Sequence, residues 1–291
     1  MMNDSEIKAL ISLLDDEDQE VIEHVEQRIR EMGGQLIPYL ETEWEGSFNP
    51  VVQKKIEELI HDLQYQSVME RIQTWKEAGA LDLLEGLWIV ATYQYPDLSL
   101  DKLRSDLEQL YYEVWLEARA EMHPIDQVKA LNHVFFNKLK FAANTKHFHS
   151  PANSMLNVVL ETRRGNPISL CVIYMMIAQK LGMPIYGVNL PSLFVLTYKQ
   201  DATQFYINVF NRGLVFSKSD IDHYIGQLNL KPHEAFYQPC SNVDIVRRVL
   251  RNLMLAFEKT GDAERMKEVE ALLTAVRDEG DSPPLSDYTN K

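Results

Sequence analysis

Cysteine is scarce in this chain: Cys171 and Cys240 are the two among 291 residues. Two thiols so far apart favour a reducing compartment over a disulfide framework. Long apolar runs are missing as well. The longest, Leu170 to Ala178, ends at Gln179 and Lys180, well short of the ~20 residues that cross a bilayer, so no membrane span is expected. The first ten residues carry acids and no basic stretch ahead of an apolar run. No secretory signal is read there, and a cytoplasmic address is the expectation. Positive charge is also short, with 29 Lys and Arg against 43 Asp and Glu and a net charge of -14. Phosphate recognition needs clustered cations, so nucleic acid is not an expected partner.

What is present is enough apolar material, 45% of residues, to bury a full core in one large domain or two small ones. The charge is uneven. Residues 1–70 hold 17 acidic and 5 basic side chains, whereas residues 151–260 hold 7 acidic and 11 basic. A solvated acidic face accounts for the first segment, since surface acids need no partner.

The chain reads as helical through residue 141. Ile7, Leu10, Ile11 and Leu14 recur at helical spacing, as do Val21, Ile22, Val25, Ile29 and Met32 before Gly33 and Gly34. Asn49 and Pro50 open a further amphipathic helix through Val52, Ile56, Leu59, Ile60 and Leu63. Such pairs look like HEAT-type repeats, too few to bury a core unaided, so they are expected to lean on something else. A run from Leu81 to Tyr95 stops before Pro96. Helices are then expected from about Ser99 to Met122, with Leu103, Leu107, Leu110, Tyr111 and Trp115 on its core stripe, and from Asp126 to Phe141.

The texture changes at residue 142. An irregular stretch to Ala152 precedes a short helix, Asn153 to Arg164, and a nearly all-apolar, hence buried, helix from Pro167 to Leu181. Short β-rich runs follow at Ile185–Leu190, Leu193–Tyr198, Phe205–Val209 and Leu214–Ser217. Helical period returns at Val243–Phe257 and Ala263–Val276 around Gly261-Asp262, the shape of a tetratricopeptide-like hairpin. The expected domains are a helical region over 1–141, an α+β core with a small antiparallel sheet over 142–240, a helical hairpin over 241–279 and a loose tail over 280–291.

Several spaced motifs carry a resemblance: Asn153-Ser154-Met155-Leu156-Asn157, Arg163-Arg164-Gly165-Asn166-Pro167-Ile168-Ser169-Leu170, Leu181-Gly182-Met183-Pro184 and Gly187-Val188-Asn189-Leu190-Pro191. With Asp82-Leu83-Leu84-Glu85-Gly86 and Tyr95-Pro96-Asp97-Leu98, the chain resembles the SirB-type branch of the transglutaminase-like superfamily. That resemblance implies a helical region packed on a papain-like α+β core, followed by tetratricopeptide-like helices. Its enzymes place a Cys at the head of the central helix, a His on the next strand and an Asp on the strand after. Here the matching positions hold Pro167, Leu193 and Asn208. A leucine accepts no proton, and an amide holds an imidazole without offsetting its charge. Losing all three members of a triad that acts as a unit leaves no basis for acyl transfer, so no residue is expected to be catalytic.

Two readings stay open beside that one. Cys171, one turn deeper in the helix, would serve a thiol-dependent hydrolase or acyltransferase if a His arrived from elsewhere in the fold, and Ser169 would serve a hydrolase. A purely structural part would self-associate. Cys171 is otherwise a small buried hydrophobe and Cys240 a surface thiol. His147 and His149 lack an evident third metal ligand, and no metal or cofactor is expected. Arg163 and Arg164 fit the negative end of a helix; together with Asn166, Ser192 and Asn208 they are the candidates for a binding cleft. The partner expected there is another protein or a peptide.

Overall fold

The computed structural model describes residues 4–117 and 122–277. The chain divides into two compact units, Met1–Arg71 and Ile72–Lys291, so the helices between residues 83 and 138 belong with the α+β core. The expected tail over 280–291 lies outside the described residues. No helix among the described residues is long and apolar enough to cross a membrane.

The first unit contains α1 (Asp4–Ser12), α2 (Gln19–Met32), α3 (Ile37–Gly46) and the start of α4 (Pro50–Glu77). Asp18 caps α2 by accepting from the Glu20 amide, and Gly33 at φ 78° ends it. Asn49 does the same for α4 through the Val51 amide. Ile7, Ile11, Leu14, Val25, Ile29, Leu36, Leu40, Val52, Ile56, Leu59 and Leu63 close into one core. Helix α3 is not among the elements expected from the sequence, and Leu36 and Leu40 at its head and middle complete the cluster.

The second unit opens with α5 (Leu83–Thr92), capped by Asp82, and α6 (Leu100–Trp115), capped by Ser99. Helix α6 ends earlier than expected. Its core stripe runs through Leu103, Leu110 and Val114, while Trp115 is exposed, because the helical period carries the stripe to 114 rather than 115. Helix α7 (Pro124–Asn132) runs on into a π-helical turn at His133–Lys138.

The segment read as irregular holds a two-residue strand, β1 (Ala142–Ala143). It pairs in parallel with β2 (Arg164–Gly165), which follows α8 (Leu156–Thr162). Then come α9 (Pro167–Lys180), β3 (Ile185–Leu190), β4 (Leu193–Gln200), β5 (Thr203–Asn208) and β6 (Leu214–Phe216). The last four form an antiparallel sheet in the order β3-β4-β5-β6. Helix α9 packs on β3 and β4 and is buried on nearly every side, as an all-apolar helix must be.

Strand alternation sorts the sheet's side chains. Val188, Leu190, Val195 and Tyr206 meet Ile221 and Ile225 of α10 (Lys218–Gln227) on one face. Gly187, Phe194 and Leu196 look the other way, toward α9. Asn132 ties the layers together: its Nδ2 donates to the Gly213 carbonyl at 2.9 Å, and its Oδ1 accepts from the Tyr174 hydroxyl at 3.0 Å. Helices α11 (Asn242–Thr260) and α12 (Ala263–Ala275) flank Gly261, which sits at φ 78°. Helix α11 is no appendage, since it packs on α5, α9, β3 and the turn at Pro151–Ser154.

Candidate functional site

The head of α9 is built by local chemistry. Asn166 caps the helix by accepting from the Ser169 amide at 3.0 Å, and the Ser169 hydroxyl accepts from the Asn166 amide at 3.1 Å. Pro167 follows as the first helical residue, where its missing N–H costs nothing. Gly165 has to be glycine: a Cβ there would lie 2.4 Å from the Ser169 Oγ. The same corner anchors a loop. Asn166 Nδ2 donates to the Ser154 Oγ, and Asn153 Nδ2 donates to the carbonyls of His147 and Phe148 at 2.7 and 3.0 Å.

Three further pieces complete a cleft of about 280 Å³. The held loop contributes Phe148, His149 and Ser150. The tight β3–β4 turn, with Ser192 at φ 56°, contributes Ser192 and Phe194. Helix α11 contributes Arg248, Asn252, Leu255, Ala256 and Lys259, a single stripe at helical spacing. No Asp or Glu is among the lining residues.

Arg248 stands where α11 meets the hairpin. Its Nη1 donates to the Asn189 Oδ1 at 3.0 Å and to the Leu190 carbonyl at 3.2 Å. Burial, reinforced by the like charge of Arg251, lowers its pKa to about 10, so it remains a cation at neutral pH. Lys259 is exposed at the rim.

Of the candidate cleft residues, Asn166 and Ser192 line this space, and Pro167 lies beside them. Arg163 and Arg164 do not. Arg163 ends α8 in the left-handed conformation and lays its guanidinium over the Phe141 ring at 4.9 Å. Arg164 lies in β2 and is exposed, away from the lining. Nor does the structure gather Pro167, Leu193 and Asn208. Leu193 packs in the cluster on the α10 face, strand alternation gives Asn208 the face of Tyr206, and its Oδ1 accepts from the Asn211 amide. The neighbouring β4 side chain, Phe194, is the one that faces α9.

Cys171 is fully buried, its Sγ 3.6 Å from the Phe194 carbonyl. Burial pushes the thiol far above its ordinary pKa, and the Val209 amide offsets only part of that. Ser169 is buried and held in the capping box. Cys240 is not the surface thiol the sequence suggests. It is half-buried against Gly187 and Phe194, and burial, with Asp244 adding to it, pushes it up to about 12. His223 and His233 are exposed and engage Gln227 and Phe236. Among the described residues no three His, Cys, Asp or Glu side chains could hold a metal ion together.

Arg248, Asn252 and Lys259 escaped the sequence reading. Their spacing on one helical face was visible, but nothing local told which neighbour that face would meet.

Residues 101–251, a little over half the chain, match the family model of a transglutaminase-like superfamily domain. A UPF0162 protein of Xylella fastidiosa (strain 9a5c) is 30% identical over 223 residues, covering 69% of this chain and 76% of that protein. UPF0162 protein YchA of Escherichia coli (strain K12) is 25% identical over 204 residues, 68% of this chain and 75% of its own. F-box only protein 21 of Homo sapiens is 30% identical over 140 residues, 45% of this chain and 22% of that protein. No solved structure matches the chain significantly.

Proposed function

The chain belongs to the transglutaminase-like superfamily, and from that premise we propose that it works by binding another protein or a peptide, without acyl transfer of its own. One observation carries the reading. At the head of the central helix, where an enzyme of this kind needs a thiolate, the chain has Pro167, and the nearest thiol along the helix, Cys171, is sealed inside the core with its proton held firmly. The thiol-dependent alternative requires Cys171 to meet a substrate, and a side chain packed under the Phe194 carbonyl meets none.

In this reading the chain is a SirB-type member whose α11–α12 pair is a tetratricopeptide-like hairpin, supported by the order of the motifs and the Gly261-Asp262 turn. Two free cysteines support a reducing, cytoplasmic setting. The test is alkylation of the native protein by iodoacetamide over a range of pH, read for each cysteine by mass spectrometry. Cys171 is expected to stay unmodified until the protein is denatured. Rapid modification of Cys171 at neutral pH would overturn the reading, as would amine incorporation into a glutamine-bearing protein that Cys171→Ala abolishes.

A further inference from the structure

We propose that the cleft at the head of α9 is a carboxylate site, built to take an acidic group of a peptide with apolar residues beside it, and that Arg248 is its anchoring cation. The proposal rests on the binding reading above and names the chemistry of what is bound.

Three observations lead there. First, Arg248 spends Nη1 on Asn189 and Leu190, which leaves Nε and Nη2 with no protein acceptor among the described residues. A guanidinium carries donors on all three nitrogens, in a fork that fits a carboxylate. Second, this cation is half-buried and no acid offsets it. The groups that act on it are Arg251, of like charge, and the neutral Tyr224 and Cys240. Charges withdrawn from water are ordinarily paired, so a desolvated cation facing an open cavity calls for an anion. Third, the walls supply the rest of the ligand. Phe148, Ile168, Phe194 and Leu255 are apolar, and Phe148 and Leu255 are about half exposed, at 45% and 46%. The Asn252 side-chain amide and the Lys259 ammonium, which have no hydrogen bond and no ion pair respectively among the described residues, lie on the same stripe of α11.

That combination disfavours a bare inorganic anion, for which apolar walls are useless, and disfavours a purely apolar segment, which would strand Arg248. A carboxylate flanked by leucine-like side chains satisfies both. Its source is either the free C-terminus of a chain or a Glu or Asp within it, and the two differ in a simple test.

The experiment titrates the full chain with acetyl-Leu-Leu bearing a free carboxylate, acetyl-Leu-Leu-amide, and acetyl-Leu-Glu-Leu-amide, following the Arg248 Nε–H and Asn252 side-chain amide resonances by NMR. At least one carboxylate probe is expected to bind about tenfold or more tightly than the neutral amide, with its affinity falling as salt rises. Preference for the first probe assigns the site to a chain terminus, and preference for the third assigns it to an internal acid. Arg248→Gln should abolish the difference between acid and amide. Because Arg248 also holds the hairpin, Lys259→Glu on the exposed rim is the second variant; it should weaken the carboxylate probe several-fold and leave the amide unchanged. Equal affinity for acid and amide, or no binding by any probe, overturns the carboxylate site. If that happens while Cys171 stays inert to alkylation, the non-catalytic reading survives alone, whereas a reactive Cys171 removes that reading whatever the probes do.

Discussion

Gly165 shows how far one missing Cβ reaches. The space it leaves is filled by the Ser169 Oγ and by Val159, which would stand 2.4 and 2.9 Å from an alanine Cβ. The capping box at the head of α9 needs that approach. Gly165→Ala is therefore expected to destabilise the protein by about 1–3 kcal/mol, measured by urea unfolding. Phe194 teaches the companion lesson. The family resemblance drew attention to Leu193, yet two-residue alternation along β4 turns Leu193 to the α10 face and Phe194 to α9. A single position in a strand decides which side of the sheet a side chain serves.

Among the elements, α10 carries a pH-dependent cap. Asp220 accepts from the Ser217 amide and hydroxyl at 2.7 and 2.6 Å, and these bonds hold its carboxyl below the ordinary carboxylate range. A pKa depressed in the folded state adds stability above the unfolded-state value, and that contribution disappears as pH falls through the folded-state value. Asp220→Asn should therefore lower the urea midpoint most at neutral pH, with the gap to the parent closing in acid; a gap that persists unchanged in acid would contradict the role given to this carboxylate. Helix α11 was legible as an amphipathic helix from Val243 to Phe257, but the reading made it part of a terminal repeat. Its contacts with α5, α9 and β3 also make it a wall of the cleft.

Across the whole molecule, the short helices of the first unit have their own core, in which Ile56 and Leu36 are fully buried. Ile56→Ala should cost about 2–5 kcal/mol of that unit's stability, the price of a buried cavity, and should speed amide exchange in α2 and α4. A change within ~0.5 kcal/mol would mean that Ile56 is not a core residue. The acidic excess of residues 1–70 is compatible with this, because the acids occupy the solvent faces of helices whose inner stripes are apolar.

The sequence by itself determined the local features. The α9 span runs from a proline start to its end within a residue, the four strands fall within a few residues of their observed limits, and Asn49 caps α4 as its place before Pro50 suggests. Periodicity and capping act over three to seven residues, so a linear reading contains them. Tertiary structure alone decided that Cys171 is sealed in the core, that Cys240 lies under Gly187 and Phe194, and that Arg248 of α11 meets the β3–β4 hairpin at the head of α9. Those outcomes join residues far apart in the chain. They follow from which apolar faces can be buried together, and no local pattern encodes that choice.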